Sequence, residues 1–514
     1  MKKSGRIQKS ADNFFAGITN RLVSTVLSFV IRTVFIHYLS AEYLSVNGLY
    51  SGILTMLSFA EMGFGVAMTY SMYKPLAEKD DRKLSQLMVL YRRVYFRVGC
   101  VILALGLSVI PFMDLIIKNP PDIDGLTFYY LIFLLNSVLS YWFFAYRTSI
   151  LSADQRSSVI SYWNTVFSVA KTILQIVLLV LFRNYTLYLL AQIACTIGQN
   201  ILLSIKAKKE YPVFDFKTAR ELSKEEKGKI FADTRALMLR KLAFSILHSS
   251  DTIIISSMVG VNWVGLLSNY VLIEDAVTSV LTQLTWAITA SLGNYFANED
   301  TEAGYHLFRR VEFLNFWLYS FCSVAMVTLM TPFVQLWLGE SFILGQWIVA
   351  ALILRFFTAG YTNTMSTFRT TLGLFVQGKY IPLFSAIVNI CLSVSFSIRW
   401  GVAGVLFATS LTRLSMDMWY TPRIIFHERF KKNVSQFFLD YLLRLGLLAL
   451  TAFGMARLAG IVVGEGVTIA RFVMLLMMTA ILPNLIFLFV FRRREEFREL
   501  LAMAKSFVRR RSVE

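Results

Sequence analysis

Residues 44–80 read LSVNGLYSGILTMLSFAEMGFGVAMTYSMYKPLAEKD, and residues 264–300 read VGLLSNYVLIEDAVTSVLTQLTWAITASLGNYFANED. Laid together without a gap, Tyr50 falls on Tyr270, Thr69 on Thr289, Ser71 on Ser291, Ala77 on Ala297 and Asp80 on Asp300, all at one constant offset. Further on, Arg92-Arg93-Val94-Tyr95-Phe96 answers Arg309-Arg310-Val311-Glu312-Phe313 at an offset shorter by three. Each identity is weak alone, but the shared register is hard to reach by chance. The change of three is expected to fall in a loop. A long-period repeat of apolar helices is the mark of many transporters.

The rest of the chain agrees with that reading. Of its 514 residues 56% are hydrophobic and 16% charged, against about a quarter charged in a soluble domain. This composition describes a protein of many membrane spans with no room for an appended catalytic domain. The formal charge of +19 does not imply nucleic acid, because the basic residues gather at span ends and in alternate loops. Cys100, Cys195, Cys322 and Cys391 all lie in apolar runs and have neither disulfide nor zinc spacing. The apolar run after the basic Met1–Ser10 is too long for a cleaved leader and is expected to be a retained first span.

Apolar windows of about 20 residues or more mark the spans. They fall near 14–38, 44–73, 87–112, 126–152, 158–182, 185–205, 233–259, 263–297, 310–335, 343–372, 381–399, 401–426, 438–458 and 467–491. The expected architecture is therefore all-α and polytopic, with fourteen spans in groups of six, six and two. Its parts are a six-helix bundle over 1–205, a cytoplasmic linker over 206–232 and a second six-helix bundle over 233–430. Two added helices over 431–491 and a basic tail over 492–514 complete it. Lys and Arg are rich in one set of connections, including Lys74, Lys79, Arg82, Lys83, Lys206, Lys208, Lys209 and Arg492–Arg494, and sparse in the other. The rich side is expected to be cytoplasmic, with both termini there. Of nine prolines only Pro483 is expected inside a span.

A charge at mid-bilayer costs about 2.5–3.5 kcal/mol on insertion scales, so several in one protein need a reason. In the first span Arg21, Thr25, Ser28 and Arg32 share one helical face. In the seventh, Lys241, Ser245, His248 and Thr252 keep the same spacing, each displaced by the offset that carries Tyr50 to Tyr270. The fifth span adds Asn164, Ser168, Lys171 and Gln175, and the tenth adds Arg355. Acids are fewer: Glu61, Asp251, Glu274 and Asp275. One reading is a water-filled cavity with cationic walls suited to an anionic substrate, bound by Arg21, Arg32, Lys171, Lys241, His248 and Arg355. The other is structural. Arg21, Arg32 and Lys241 can snorkel to an interface, His248 can be a packing residue, and Lys171 and Arg355 can serve ion pairs with Glu61 or Asp251.

Signals for catalysis or metal are poor. Asp122-Ile123-Asp124 is a D-x-D in a short turn without other acids or histidines nearby, and no G-x-x-x-x-G-K is present. No catalytic residue, resident cofactor or metal ligand is expected.

Glu42–Tyr50, LSFAEMGFG (57–65), SMYKPLAEKD (71–80), DTIIISSMVG (251–260) and LLSNYVLIEDAVTSVLTQ (266–283) resemble the bacterial Wzx-type polysaccharide flippases. These belong to the MOP exporter superfamily, with the MATE drug exporters and the lipid II flippase. The resemblance covers nearly the whole chain. It implies a MATE-like fold of two bundles facing each other across a cavity, with the last two helices outside. The implied substrate is an undecaprenyl-pyrophosphate-linked oligosaccharide, the repeat unit of a capsule, exopolysaccharide or O-antigen. The implied act is alternating access across the bacterial cytoplasmic membrane, by a monomer working beside a polymerase and glycosyltransferases. The family's coupling ions are sodium or protons, for which Glu61, Asp251 and Glu274 are the candidates here. Arginine and lysine suit a pyrophosphate, and hydroxyl and amide groups suit sugars. The competing readings are a cation-coupled drug exporter of the same fold, which would want an acidic cavity, and a membrane enzyme of polysaccharide assembly.

Overall fold

The computed structural model describes residues 3–502, apart from 59–63, 212, 214–221, 299–300, 373, 375–376, 379 and 465. Of residues 3–11, 66, 229, 232–244, 248 and 284–298 it describes the backbone only. Every element is helical among the described residues. They are α1 (Lys3–Tyr38), α2 (Ala41–Leu57), α3 (Phe64–Glu78), α4 (Asp81–Val109), α5 (Met113–Ile116), α6 (Leu126–Trp142), α7 (Thr148–Ala153), α8 (Ser157–Phe182), α9 (Tyr185–Glu210), α10 (Lys224–Ile254), α11 (Val261–Asn298), α12 (Thr301–Leu338), α13 (Gln346–Thr371), α14 (Ile381–Thr412), α15 (Met418–Ile424), α16 (Ser435–Val463) and α17 (Ile469–Phe491).

The repeat reappears in where helices begin. Ala41 and Val261, and Leu126 and Gln346, open equivalent helices, each pair separated by the same offset as Tyr50 and Tyr270. The three-residue slip of the arginine pair lies beyond a junction whose second copy, residues 299–300, is outside the described residues.

Ten helical stretches among the described residues are long and apolar enough to cross a bilayer, or eleven if Leu126–Trp142 and Ala145–Ala153, bent by 43°, form one span. Fourteen were expected; the windows near 44–73 and 233–259 include residues outside the described ones and fall outside this count. The stretch Ile381–Phe430 counts as one, but its backbone is non-helical at Gly401 (φ 54°, ψ −134°). Asn389 Nδ2 donates to Thr409 Oγ1 at 3.0 Å, and in a straight helix those atoms would lie about 30 Å apart. The chain reverses at Gly401 and its two legs lie side by side. Pro483 sits within an unbroken α17 as expected. Pro75, Pro332 and Pro422, expected at span ends or in loops, also lie inside helices, because the helices continue past the apolar runs.

The chain divides into two compact units, 1–268 and 269–514. In the first, α1 packs along α8, α8 along α9, α6 along α4 and α9, and α2 along α10. α10 is opened by a capping box between Ser223 and Glu226. The Glu226 carboxyl is held below the usual glutamate value by a hydrogen bond from Lys83. The crossing of α2 with α10 and the start of α11 is made by small residues. Gly48-Leu49-Tyr50-Ser51-Gly52 is a small-xxx-small pattern, and it was not singled out in the sequence. A Cβ at Gly48 would lie 3.0 Å from Val264 Cγ1, and one at Gly52 would lie 3.0 Å from Thr252 Cγ2. At Gly265 a Cβ would lie 2.2 Å from Ser45 Oγ and 2.9 Å from the Ser45 backbone nitrogen.

In the second unit α12 is the hub. α13, α16 and α17 all pack on it. Phe313, Phe316 and Trp317 of α12 meet Phe487 or Phe491 of α17 edge-on or tilted, and Trp317 Nε1 donates to Asn484 Oδ1 at 3.0 Å. Arg444 of α16 donates through Nη1 to both oxygens of Glu312, at 2.9 and 2.7 Å, with its guanidinium 5.4 Å from the Phe313 and Phe316 rings. Arg309 pairs with Asp440 at 2.9 Å and Glu496 at 2.7 Å, and Arg310 with Glu499 at 3.2 Å. The added helices are thus fastened by charge at one level and by aromatic rings along their length.

The glycine crossing generates a test. Gly265→Ala drives a methyl into Ser45 backbone and should cost about 1–3 kcal/mol of stability. Gly48→Ala should cost less and be restored by Val264→Ala, whose methyl is the atom in the way. Melting of the purified protein in detergent measures both, and failure of Val264→Ala to compensate would refute the crossing.

Candidate functional site

The polar groups of the first unit sit where α1 runs along α8. Asn13 Nδ2 donates to the Gln155 carbonyl at 2.8 Å and its Oδ1 accepts from the Ser158 backbone at 2.6 Å. Two turns on, Asn20 Oδ1 accepts from Thr165 Oγ1 at 3.0 Å. These amides hold the two helices together, and the face beside them carries Arg21, Thr25, Ser28 and Arg32. Arg21 is exposed. Ser28 returns its hydroxyl to the Ser24 carbonyl at 2.8 Å.

Arg32 is half-buried and donates through Nη1 to Ser268 Oγ at 2.7 Å. That hydroxyl is oriented as an acceptor, because its own proton goes to the Gly265 carbonyl at 2.7 Å. Phe35, one turn on from Arg32, packs edge-on against Tyr188 at 5.2 Å, and the Tyr188 carbonyl accepts from Gln175 Nε2 at 3.2 Å. Lys171 stands one turn before Gln175 on α8, half-buried and facing Cys195. Among the described residues Lys171 has no hydrogen-bond or ion-pair partner. Asn164, further down the same face, accepts from Gln199 Nε2 at 2.7 Å. The result is a band of donors, two of them cationic, at Arg32, Gln175 and Lys171.

The seventh span of the sequence falls on α10. Of its stripe, Ser245 reaches the Thr55 carbonyl at 3.4 Å and Thr252 packs on Gly52, both against α2. Lys241 and His248 lie on α10 with side chains outside the described residues, and Glu61 lies outside them altogether. Asp251 is buried on α10.

In the second unit two expected site residues, separated by 81 positions, meet. Arg355 Nη2 donates to Glu274 Oε2 at 2.7 Å, with side chains 15% and 11% exposed. The Arg355 carbonyl accepts from Arg413 Nη1 at 3.0 Å, and Arg413 is buried. Arg413 opens a five-residue π turn that ends at Asp417, a widening of the helix common at functional sites. Arg369 closes the neighbouring loop by donating to the Leu374 carbonyl at 2.9 Å. The sequence signal for Arg413 was its place in the middle of the 401–426 window, where it was passed over. Among the described residues no group of three or more His, Cys, Asp or Glu is placed to hold a metal ion.

The family model described as "Polysaccharide biosynthesis protein" matches residues 10–291, more than half of the chain. The chain belongs to that family. No curated protein sequence matches it. Three solved structures superpose on it. An inward-facing multidrug resistance MATE family transporter of the MOP superfamily gives a TM-score of 0.62 at 15% identity, covering 80% of this chain and 98% of its own. The lipid II flippase MurJ, in an inward closed conformation, gives 0.60 at 15% identity over 95% and 99%. A MOP superfamily transporter from Pyrococcus furiosus gives 0.54 at 14% over 83% and 96%. These likenesses, at 14–15% identity, show the fold: the chain shares the helical architecture of those membrane proteins.

The Arg355–Glu274 pair carries a testable consequence. Arg355→Ala leaves a largely buried carboxylate without its guanidinium and should destabilise by about 3–5 kcal/mol. Arg355→Ala with Glu274→Ala should recover at least half of that loss. Thermal unfolding of the purified variants reads it, and simply additive losses would show that the pair is not coupled.

Proposed function

We propose that this member of the polysaccharide biosynthesis family is a flippase. It carries undecaprenyl-pyrophosphate-linked oligosaccharide repeat units across the bacterial cytoplasmic membrane by alternating access, for capsule, exopolysaccharide or O-antigen assembly. The observation that carries the reading is Lys171, a half-buried cation set in an apolar helix beside Arg32, Gln175 and Asn164, in a chain of that family. A buried ammonium persists in such a place when an anion comes to it. A pyrophosphate supplies the anion, and the amides and hydroxyls around it suit sugar hydroxyls. The fold shared with the lipid II flippase supports the same act. In this reading the amino and carboxyl termini are cytoplasmic, and the protein works as a monomer beside a polymerase and glycosyltransferases.

Arg355 and Glu274 take a second part. Their ion pair is closed in this conformation, and a proton or sodium ion on Glu274 would release the Arg355 guanidinium for a phosphate. Coupling and substrate binding then draw on one carboxylate.

Surface polysaccharide and membrane protein level, measured in the same cells, test the reading. Lys171→Ala and Arg32→Ala each remove a charge-assisted contact and should lower surface polysaccharide about tenfold or more, at unchanged protein level. Lys171→Arg should keep part of the activity. Normal polysaccharide from both alanine variants would remove these residues from the mechanism.

A further inference from the structure

α17 carries no charge between Arg471 and Arg492, an uncharged run of about 30 Å of helix, which is the thickness of the hydrocarbon core. The two arginines therefore mark its edges, and Arg492 stands at the level of the lipid phosphates. Arg492 lies over the ring of Phe489 at 4.7 Å, and Phe489 is 67% exposed. On a spanning helix such a ring faces lipid, so the guanidinium above it is held among headgroups.

The chain beyond it stays at that level. It turns at residues 492–494 and is helical again over 495–502. Phe497 stacks on Trp317 at 5.5 Å, and the same indole meets Phe487 at 5.7 Å. In a straight continuation of α17, residue 497 would stand about 15 Å beyond residue 487. The tail helix is therefore folded back against the end of the span. Glu496 and Glu499 fasten it to Arg309 and Arg310 at 2.7 and 3.2 Å, and Arg494 pairs with Asp440 at 3.1 Å.

This docking sorts the charges of the tail by face. Glu496 and Glu499 turn towards α12. Arg492, Arg493 and Arg498 are exposed, against one exposed acid, Glu495. Leu501 follows Arg498 by three positions and is 41% exposed, so a leucine and a guanidinium share one side of the tail helix. The sequence continues through Lys505 and Arg509–Arg511 with Glu514 as its one further acid. A free phosphate needs only the arginines, and an acidic protein needs neither the leucine nor the depth. The surface of an anionic bilayer needs positive charge, an apolar side chain beside it and a place at the hydrocarbon edge.

We infer that the folded-back tail helix is a lipid-binding surface. Arg492, Arg493 and Arg498 meet the phosphates of anionic phospholipids in the leaflet at this end of α17, and Leu501 sits among the upper parts of their acyl chains.

The test uses the full chain with its four cysteines changed to serine and a bimane label on Ala502→Cys. It is reconstituted into vesicles whose lipids carry brominated acyl chains, which quench bimane on contact. Quenching should be several times greater with phosphatidylglycerol present than with phosphatidylcholine alone. Changing Arg492, Arg493 and Arg498 to Gln should abolish that difference, and Leu501→Ser should reduce it. Lys208→Gln with Lys209→Gln, which removes charge at the end of α9, should leave it unchanged. If the cysteine-free chain does not melt as wild type does, native mass spectrometry of the chain with its cysteines decides. There Arg492→Gln with Arg498→Gln should weaken binding of phosphatidylglycerol about thirtyfold, and unweakened binding would overturn the proposal. An unquenched label, which would leave the patch to an acidic protein, would also overturn it. So would equal quenching in the two kinds of vesicle, quenching unmoved by the three Gln changes, or release of the tail by millimolar inorganic phosphate at constant ionic strength.

Discussion

A charge placed in hydrocarbon must find a counter-charge, and the distance to that partner and its access to water sort this protein's intramembrane residues by what they can do. Arg444 and Glu312 are sealed, 3% and 1% exposed, and share two hydrogen bonds between aromatic faces. Such a pair can only hold helices together, and α16 stays on α12 because of it. Arg355 and Glu274 are equally close but several times more exposed, and the flippase proposal gives this pair the part of meeting an ion or phosphate. Lys171 has no internal partner among the described residues, and its place in the fold is the one that most requires a ligand.

The duplication explains why these three situations coexist. Helices that open at Ala41 and Leu126 open again at Val261 and Gln346, and the sequence repeats the polar stripes and the arginine pair in both copies. What differs is what covers them. Over the second copy α16, α17 and the tail bring Asp440, Glu496 and Glu499, and burial that would raise the Glu496 carboxyl is outweighed by its hydrogen bonds and by Arg309, which hold it low. In the first copy the corresponding arginines, Arg92 and Arg93, line a groove between α4 and α6.

Much of this was legible in the residues. Apolar windows located most of the helices to within a few residues, and the internal repeat was read from residue identities at one offset. Arg32, Lys171, Arg355 and Glu274 stood out because charge inside an apolar run is costly. Their pairing was not legible, since Glu274 and Arg355 are 81 positions apart and only the fold brings them within a hydrogen bond of each other. Arg444, Glu312 and Arg413 were passed over for a related reason. Each lies in a run whose neighbours are ordinary, and its importance appears only with its partner. The Gly48–Gly52 pattern was visible but had no meaning until α10 and α11 were seen to cross it. The reversal at Gly401 was legible from two adjacent apolar windows, although the length of the helical stretch alone conceals it.

The central claim is that the cationic band on α1 and α8 carries a pyrophosphate-linked glycan across the bilayer. The most direct measurement is flipping itself. The purified chain is reconstituted into vesicles that hold a labelled undecaprenyl-pyrophosphate-linked oligosaccharide, and the fraction of label open to an impermeant reagent is followed in time. The account predicts that label on the inner face becomes accessible with wild-type protein and that Lys171→Ala reduces the rate to that of protein-free vesicles. Equal rates with wild-type protein and without it would contradict the account.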